Sequence, residues 1–387
     1  MFSKIIHNAF FRILSNLEYG RLELITPEGK KHYFEGKKPG PHGTFRIFEW
    51  NVIENLSTKG DIGFAEDYRD GRWDTDNLTA LLKFGLKNYN TLKSYIQGRT
   101  FFKAISKLSY LAKRNTLTGS KKNIQAHYDL GNNFYKLWLD SSMTYSSALF
   151  LNDNETLEEA QRNKYDRILS RIDKDISNIL EIGCGWGGFA ERAIQTKEHS
   201  VKGVTLSKEQ LIYAKERVSD SRAEFLLEDY RHVTGQYDAI VSIEMFEAVG
   251  EKYWPIYFKR ISELLKKNGT AHIQTITICD DAFEEYRTSG DMIRSFIFPG
   301  GMLPSKKRFY EEAHNAGLEI SNIYSFGQDY AKTLSLWLDE FDAQIDHVKA
   351  MGFDDNFIRL WRFYLASCTA GFTAERTDVI QVELKHA

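Results

Sequence analysis

Cysteine is scarce in this chain. Cys184, Cys279 and Cys368 are its only three among 387 residues. They are far apart and odd in number, so they form neither a disulfide framework nor a metal-spaced cluster, and they suit a reducing compartment. Charge of one sign is also lacking: 51 basic side chains balance 53 acidic ones, a net of −2. That leaves no global attraction to nucleic acid or to an anionic membrane, so any such attraction must be local. No run of 18 apolar residues can cross a bilayer. The first residues have no secretory layout, because His7, Asn8 and Arg12 interrupt their apolar positions. Internal repeats and low-complexity segments are absent too.

Aromatic residues, by contrast, reach 14%, with 26 Phe and 20 Tyr. They suit an ordinary core or a pocket for a long apolar ligand. The length favours two domains. Residues 1–98 mix strand-like runs at 21–26 and 44–48 with turns at Pro27-Glu28-Gly29 and Pro39-Gly40-Pro41, which predicts a small α+β domain. Phe2, Ile5, Ile6, Phe10 and Leu14 share one face of a predicted helix at its start. That helix packs on its own domain or lies on a membrane. Residues 99–122 carry Arg99, Lys103, Lys107, Lys113, Arg114, Lys121 and Lys122 and no acid, with Phe101, Phe102, Ile105 and Leu108 at near-helical spacing. Such a basic amphipathic linker reads as a membrane-surface element or as an interdomain helix with a solvated face. Residues 123–387 alternate strand and helix. Strands are expected at 178–183, 201–206, 223–227, 238–243 and 270–276, which predicts an α/β, doubly wound, Rossmann-like parallel sheet.

The first of these strands runs into Gly183-Cys184-Gly185-Trp186-Gly187-Gly188, a turn where the backbone must pass close to a ligand. Dinucleotide enzymes share this pattern. Three features favour S-adenosylmethionine. Glu181 precedes the first glycine. The second strand ends in Thr205, with Gln210 beyond it and no carboxylate for a ribose. Asp229 and Tyr230 follow the third strand, where adenine would lie.

Several longer motifs resemble one family. They are residues 127–135 (His-Tyr-Asp-Leu-Gly-Asn-Asn-Phe-Tyr), 143–148 (Met-Thr-Tyr-Ser-Ser-Ala), the glycine loop, 203–210, 244–250 (Glu-Met-Phe-Glu-Ala-Val-Gly) and 297–305 (Ile-Phe-Pro-Gly-Gly-Met-Leu-Pro-Ser). Together they are similar to the cyclopropane fatty acid synthases, relatives of the mycolic acid cyclopropane synthases, over about residues 120–375. Gly71-Arg72-Trp73-Asp74 looks like part of the small N-terminal domain of bacterial members. The resemblance implies a methyltransferase sheet and a substrate: the cis double bond of an acyl chain in a membrane phospholipid. It implies a peripheral enzyme on the cytoplasmic face of the bilayer, no nucleic acid, and is compatible with a homodimer. It also implies a bound bicarbonate as base, held by Ser147, Glu247, Gln274, Ile276 and Tyr330. Many bacterial members have cysteine where Ser147 stands and histidine where Gln274 stands. Tyr145 and Ser146 would meet the methionine end of the cofactor, Gly183 and Gly185 its methionine and ribose, Thr205 and Gln210 the ribose, Asp229 and Tyr230 the adenine. Cys368 matches a cysteine proposed as catalytic, but the implied mechanism gives it no clear role and it reads better as a small buried hydrophobe. His127 reads as site or structure, and Glu244 as structural.

The implied chemistry needs a dry apolar slot, negative charge or aromatic faces to steady a carbocation, and a modest base. Without proton loss from the new methyl group, the product would be methyl- or methylene-branched. A soluble small-molecule methyltransferase and a lipid-binding protein without catalysis are the other readings.

Overall fold

The computed structural model describes residues 2–96, 130–173 and 178–387. The basic stretch 99–122 and His127 lie outside the described residues. Two compact units divide the chain. One holds Met1–Ala112, Glu284–Ile297 and Trp337–Arg376. The other holds Lys113–Phe283, Phe298–Leu336 and Thr377–Ala387. The linear division at residues 98 and 122 and this interleaved one do not coincide.

The first unit contains β1 (Tyr19–Ile25), β2 (Lys31–Glu35), β3 (Lys38–Ile47) and β4 (Trp73–Asp74) in the order β2-β1-β3-β4. β1 pairs antiparallel with β2 and parallel with β3, with Leu24 opposite Phe45. Alternation along β1 buries Leu22 and Leu24, the period-two pattern of a half-buried strand. Ile6, Phe10 and Leu14 of the helix Phe2–Leu14 are buried, so its apolar face packs within its own unit. The centre is aromatic. Trp73 stacks on Phe64 at 4.2 Å between centroids, and Phe363 of the helix Asp355–Thr373 lies 6.0 Å from Phe64.

The second unit carries β5 (Asn178–Ile182), β6 (Ser200–Thr205), β7 (Ala223–Leu227), β8 (Tyr237–Ile243), β9 (Leu265–Ile278), β10 (Leu318–Ser325) and β11 (Thr377–His386). Their order is β10-β11-β9-β8-β5-β6-β7. Strands β5 to β9 are parallel, as the five expected runs predict, and β5 and β8 are near-continuous apolar runs buried on both faces. No expected run covers β10 or β11. They close one edge antiparallel to β9. β10 is largely exposed and shows no clean alternation, so it carries little periodic signal.

The chain leaves β5 towards β6 and β7, then returns to the other flank of β5 as β8. That reversal opens a crevice at the carboxyl ends of β5 and β8, where ligands bind in such sheets. The glycine turn and residues 244–250 meet there.

Candidate active site

The glycine turn has the backbone that its sequence demands. Gly183 has φ +82°, and a Cβ there would sit 2.7 Å from Met245 Cγ. Gly185 has φ +51° and open space where a side chain would be. It borders a cavity that all eight sequence-predicted cofactor residues line: Tyr145, Ser146, Gly183, Gly185, Thr205, Gln210, Asp229 and Tyr230. The Thr205 hydroxyl donates to Gln210 Oε1 (2.9 Å), and Ser207 caps the following helix by accepting from Gln210 N. Asp229 is buried, yet its carboxyl lies below the ordinary value. Burial alone would raise it, and the Arg231 guanidinium, bonded to both oxygens, outweighs that.

Glu181 also faces the cavity. It is 3% exposed, and its Oε2 has no hydrogen-bond partner. Burial raises its carboxyl to about 8, against a weaker opposing pull from Arg217. A cation bound against that orphaned oxygen would favour the ionised carboxylate over the protonated form that burial imposes.

Beyond β8 stands a second group. Among the described residues three non-glycines have positive φ, and two of them, Met143 and Glu244, line the cavity. Such strain persists where the surroundings enforce it. Glu244 Oε1 accepts from Ser147 N (2.8 Å) and Gln274 Nε2 (2.8 Å), and its carboxyl is hydrogen-bonded to Tyr330. Glu247 follows on the 3-10 turn Phe246–Ala248. Its Oε1 accepts from Thr275 Oγ1 (2.9 Å) and Ile276 N (2.5 Å), while Oε2 has no partner. Burial, and secondarily the Glu244 charge, raise Glu247 to about 8. The Phe298–Met302 turn is tied to it, because Met302 N donates to the Glu247 carbonyl. An aromatic cluster adjoins: Tyr145 lies 5.5 Å from both Tyr135 and Trp138 and 6.4 Å from Phe298, and Tyr135 lies 5.2 Å from Trp186.

Thus Ser147, Gln274 and Tyr330 converge on Glu244, whereas Glu247 is held separately by Ile276 and Thr275. The Ser147 hydroxyl donates to the Ala148 carbonyl. The Gln274 amide is spent on Glu244 and on Gln381, whose Nε2 donates to Gln274 Oε1 at 2.9 Å. Sequence reasoning read Glu244 as structural and passed over Lys164, which is fully buried and donates to Ser146 Oγ. A buried lysine in an otherwise polar helix leaves no signal in a single sequence. Cys368 belongs to the first unit, on the helix Asp355–Thr373. Burial raises its thiol to about 12, so it stays protonated. No His/Cys/Asp/Glu cluster able to hold a metal occurs among the described residues.

The open glycine backbone, the unpartnered Glu181 oxygen and the polar ends of β6 and β7 fit a cofactor with a cationic amino-acid end, a sugar and a base. Fold and site together define an S-adenosylmethionine-dependent methyltransferase. The mycolic acid cyclopropane synthetase family matches residues 115–382, and the chain belongs to that family. It is 37% identical to the tuberculostearic acid methyltransferase UfaA1 of Mycobacterium tuberculosis, over 85% of this chain and 80% of that one. It is 34% identical to the cyclopropane-fatty-acyl-phospholipid synthase of Escherichia coli K12, over 87% and 86%. Among solved structures, mycolic acid cyclopropane synthase CmaA1 complexed with SAH and CTAB superposes with a TM-score of 0.64 at 32% identity, covering 68% of this chain and 97% of that one.

Proposed function

We propose that the protein transfers the methyl carbon of S-adenosylmethionine to the cis double bond of an unsaturated acyl chain in a membrane phospholipid and closes a cyclopropane ring. The observation that carries this reading is Glu247: a carboxyl with one oxygen fixed by Thr275 and Ile276 and the other buried and unpartnered. An alkene attacks without being deprotonated, so the site needs no activated serine or cysteine, and the protonated Cys368 thiol agrees with that. When bound, S-adenosylmethionine supplies an electrophilic methyl group. Tyr145, Ser146 and Gly183 hold its methionine end, with Glu181 facing the ammonium. Gly185, Thr205 and Gln210 hold the ribose, and Asp229 and Tyr230 the adenine. Tyr135, Trp138 and Tyr145 exclude water from the cationic acyl chain and face it with π-density. Glu247, protonated near neutral pH, has Oε2 free to donate to a small anion. Bicarbonate there would supply the base for ring closure. Ile276 N and Thr275 hold Glu247 in place, and Tyr330 is bonded to Glu244.

The substrate lies in a bilayer, and the enzyme works as a peripheral protein on its inner face. No described helix is long and apolar enough to cross a membrane, and the seven basic residues of 99–122 supply local attraction to anionic lipid.

A second reading, methyl- or methylene-branching without a ring, is favoured by one observation. The Ser147 hydroxyl and the Gln274 amide are directed into the protein, not towards an anion, which weakens the grip on a base. The name of UfaA1, a tuberculostearic acid methyltransferase, points the same way for that relative. Expression in a host without modified fatty acids, followed by proton spectra of its lipids, separates the two. High-field cyclopropyl resonances are expected. Methyl branches without them would establish the second reading, and acyl chains without labelled methyl carbon would remove both.

A further inference from the structure

Lys164 has no exposed surface. It sits on the helix Leu157–Arg171 with Gln161 one turn before it and Tyr165 beside it, an i, i+3, i+4 stripe. In an amphipathic helix that stripe would be apolar. Here three polar side chains are buried, and all three end on the segment Thr144–Ser146. Gln161 Nε2 donates to the carbonyls of Ser146 (3.0 Å) and Thr144 (3.4 Å). The Tyr165 and Thr144 hydroxyls share a hydrogen bond of 3.1 Å. The Lys164 ammonium donates to Ser146 Oγ. From the opposite side Glu244 Oε1 accepts the next amide, Ser147 N, at 2.8 Å. The Ser146–Ser147 dipeptide therefore lies between a buried ammonium and a half-buried carboxylate.

Resting on the methyl-transfer reading of this pocket, we propose that Lys164 is a positioning residue: paired in charge with Glu244 across Ser146–Ser147, it clamps the Tyr145–Ser147 wall against the cofactor cavity. A methionine would fill similar space without the cost of desolvating an ammonium, so packing does not account for the lysine. Charge does. Glu244 is half-buried in a strained backbone conformation and draws its strongest opposing attraction from Lys164. Lys164 in turn is disfavoured by burial and supported first by Glu244, then by Asp140. Without the cation, Glu244 is a desolvated charge with no opposing partner of that strength, and the amide, glutamine and tyrosine that converge on it lose their fixed acceptor.

The experiment is a double-mutant cycle on the full-length protein with Lys164→Met, Glu244→Gln and both. It reads S-adenosylhomocysteine affinity by calorimetry and unfolding by circular dichroism. Lys164→Met is expected to weaken binding by roughly tenfold, and the double variant to recover most of that loss, a coupling in the range for residues in one polar network. A structural role in packing predicts no such rescue. If Lys164→Met fails to fold while the double variant folds, the charge pairing is upheld. If Lys164→Met binds like the wild type, if the losses simply multiply, or if the double variant also fails to fold, the proposal falls. The readout needs no lipid. Failure of the wild type to label monounsaturated phosphatidylethanolamine–phosphatidylglycerol vesicles would overturn the function proposed above and leave this cycle standing.

Discussion

Glu247 and Glu181 are acids held largely in the protonated form near neutral pH, and each has a buried oxygen without a partner. Their consequences differ. Glu247→Gln keeps the size and the hydrogen bonds at Oε1 but removes the acidic proton. Cofactor binding should persist, and methyl transfer should fall by about 10²–10⁴-fold, the usual worth of an acid–base group. Calorimetry with S-adenosylhomocysteine and labelled methyl transfer to vesicles check both halves, and full turnover in the variant would take Glu247 out of the chemistry. Glu181 acts on stability. Its carboxyl lies near 4.5 in an unfolded chain and at about 8 in the fold. Between those values the native state holds more protons than the unfolded one. Stability therefore falls as pH rises through that window, by up to ~1.4 kcal/mol per pH unit for one group. Glu181→Gln removes this slope, so ligand-free melting curves at pH 5 and pH 8 should differ less in the variant. An unchanged slope would mean that Glu181 ionises freely in the fold. The eight expected cofactor residues line one cavity, and they were legible because each sits in a short local motif: six at or just beyond the ends of β5, β6 and β7, and Tyr145 and Ser146 in the loop 143–148. Glu244 and Lys164 were not, because their partners come from distant segments: Gln274 on β9, Tyr330 beyond it, and the loop before the helix that carries Lys164.

At the scale of the element, the helix Leu157–Arg171 is the support on which the cavity wall rests, and its start is set by local chemistry. Thr156 Oγ1 accepts from Glu159 N, and the Glu159 carboxylate accepts from Thr156 N at 2.9 Å, a complete capping box. Thr156→Ala should cost about 1 kcal/mol of unfolding free energy. The effect belongs to the denaturant midpoint, with an unchanged slope. Because the first turn frays away from Lys164, S-adenosylhomocysteine affinity should drop less than in Lys164→Met. The parallel strands were readable because β5 and β8 are apolar on both faces. β11 was not, although it is buried: it is read only with its partners, Gln381 opposite Gln274 and Tyr324 on either side.

For the whole molecule, the chain's path matters more than its linear order. The small α+β region at the start looks self-contained in sequence, with its own strands, turns and apolar helix face. Its core is completed from far away. Phe363 packs against Phe64, Tyr68 and Trp73, and Arg359 donates to the carbonyls of Tyr68 (2.5 Å) and Trp73 (2.8 Å). Met292 N donates to Asp61, and the Tyr89 hydroxyl to Glu285. No local pattern in residues 1–98 announces these partners, because a buried aromatic reads the same whichever segment covers it. A fragment of residues 1–98 would leave Phe64 and Trp73 uncovered on one side. Burying a large side chain contributes ~1.5–3 kcal/mol, and several are lost together, against a total stability for a domain of about 5–15 kcal/mol. The fragment should therefore show no cooperative thermal transition by circular dichroism. Adding a peptide spanning 355–373 should restore helical signal in proportion to its concentration. A cooperative transition in the fragment alone would show that the N-terminal region is a free-standing domain after all, and that the helix Asp355–Thr373 is only its cover.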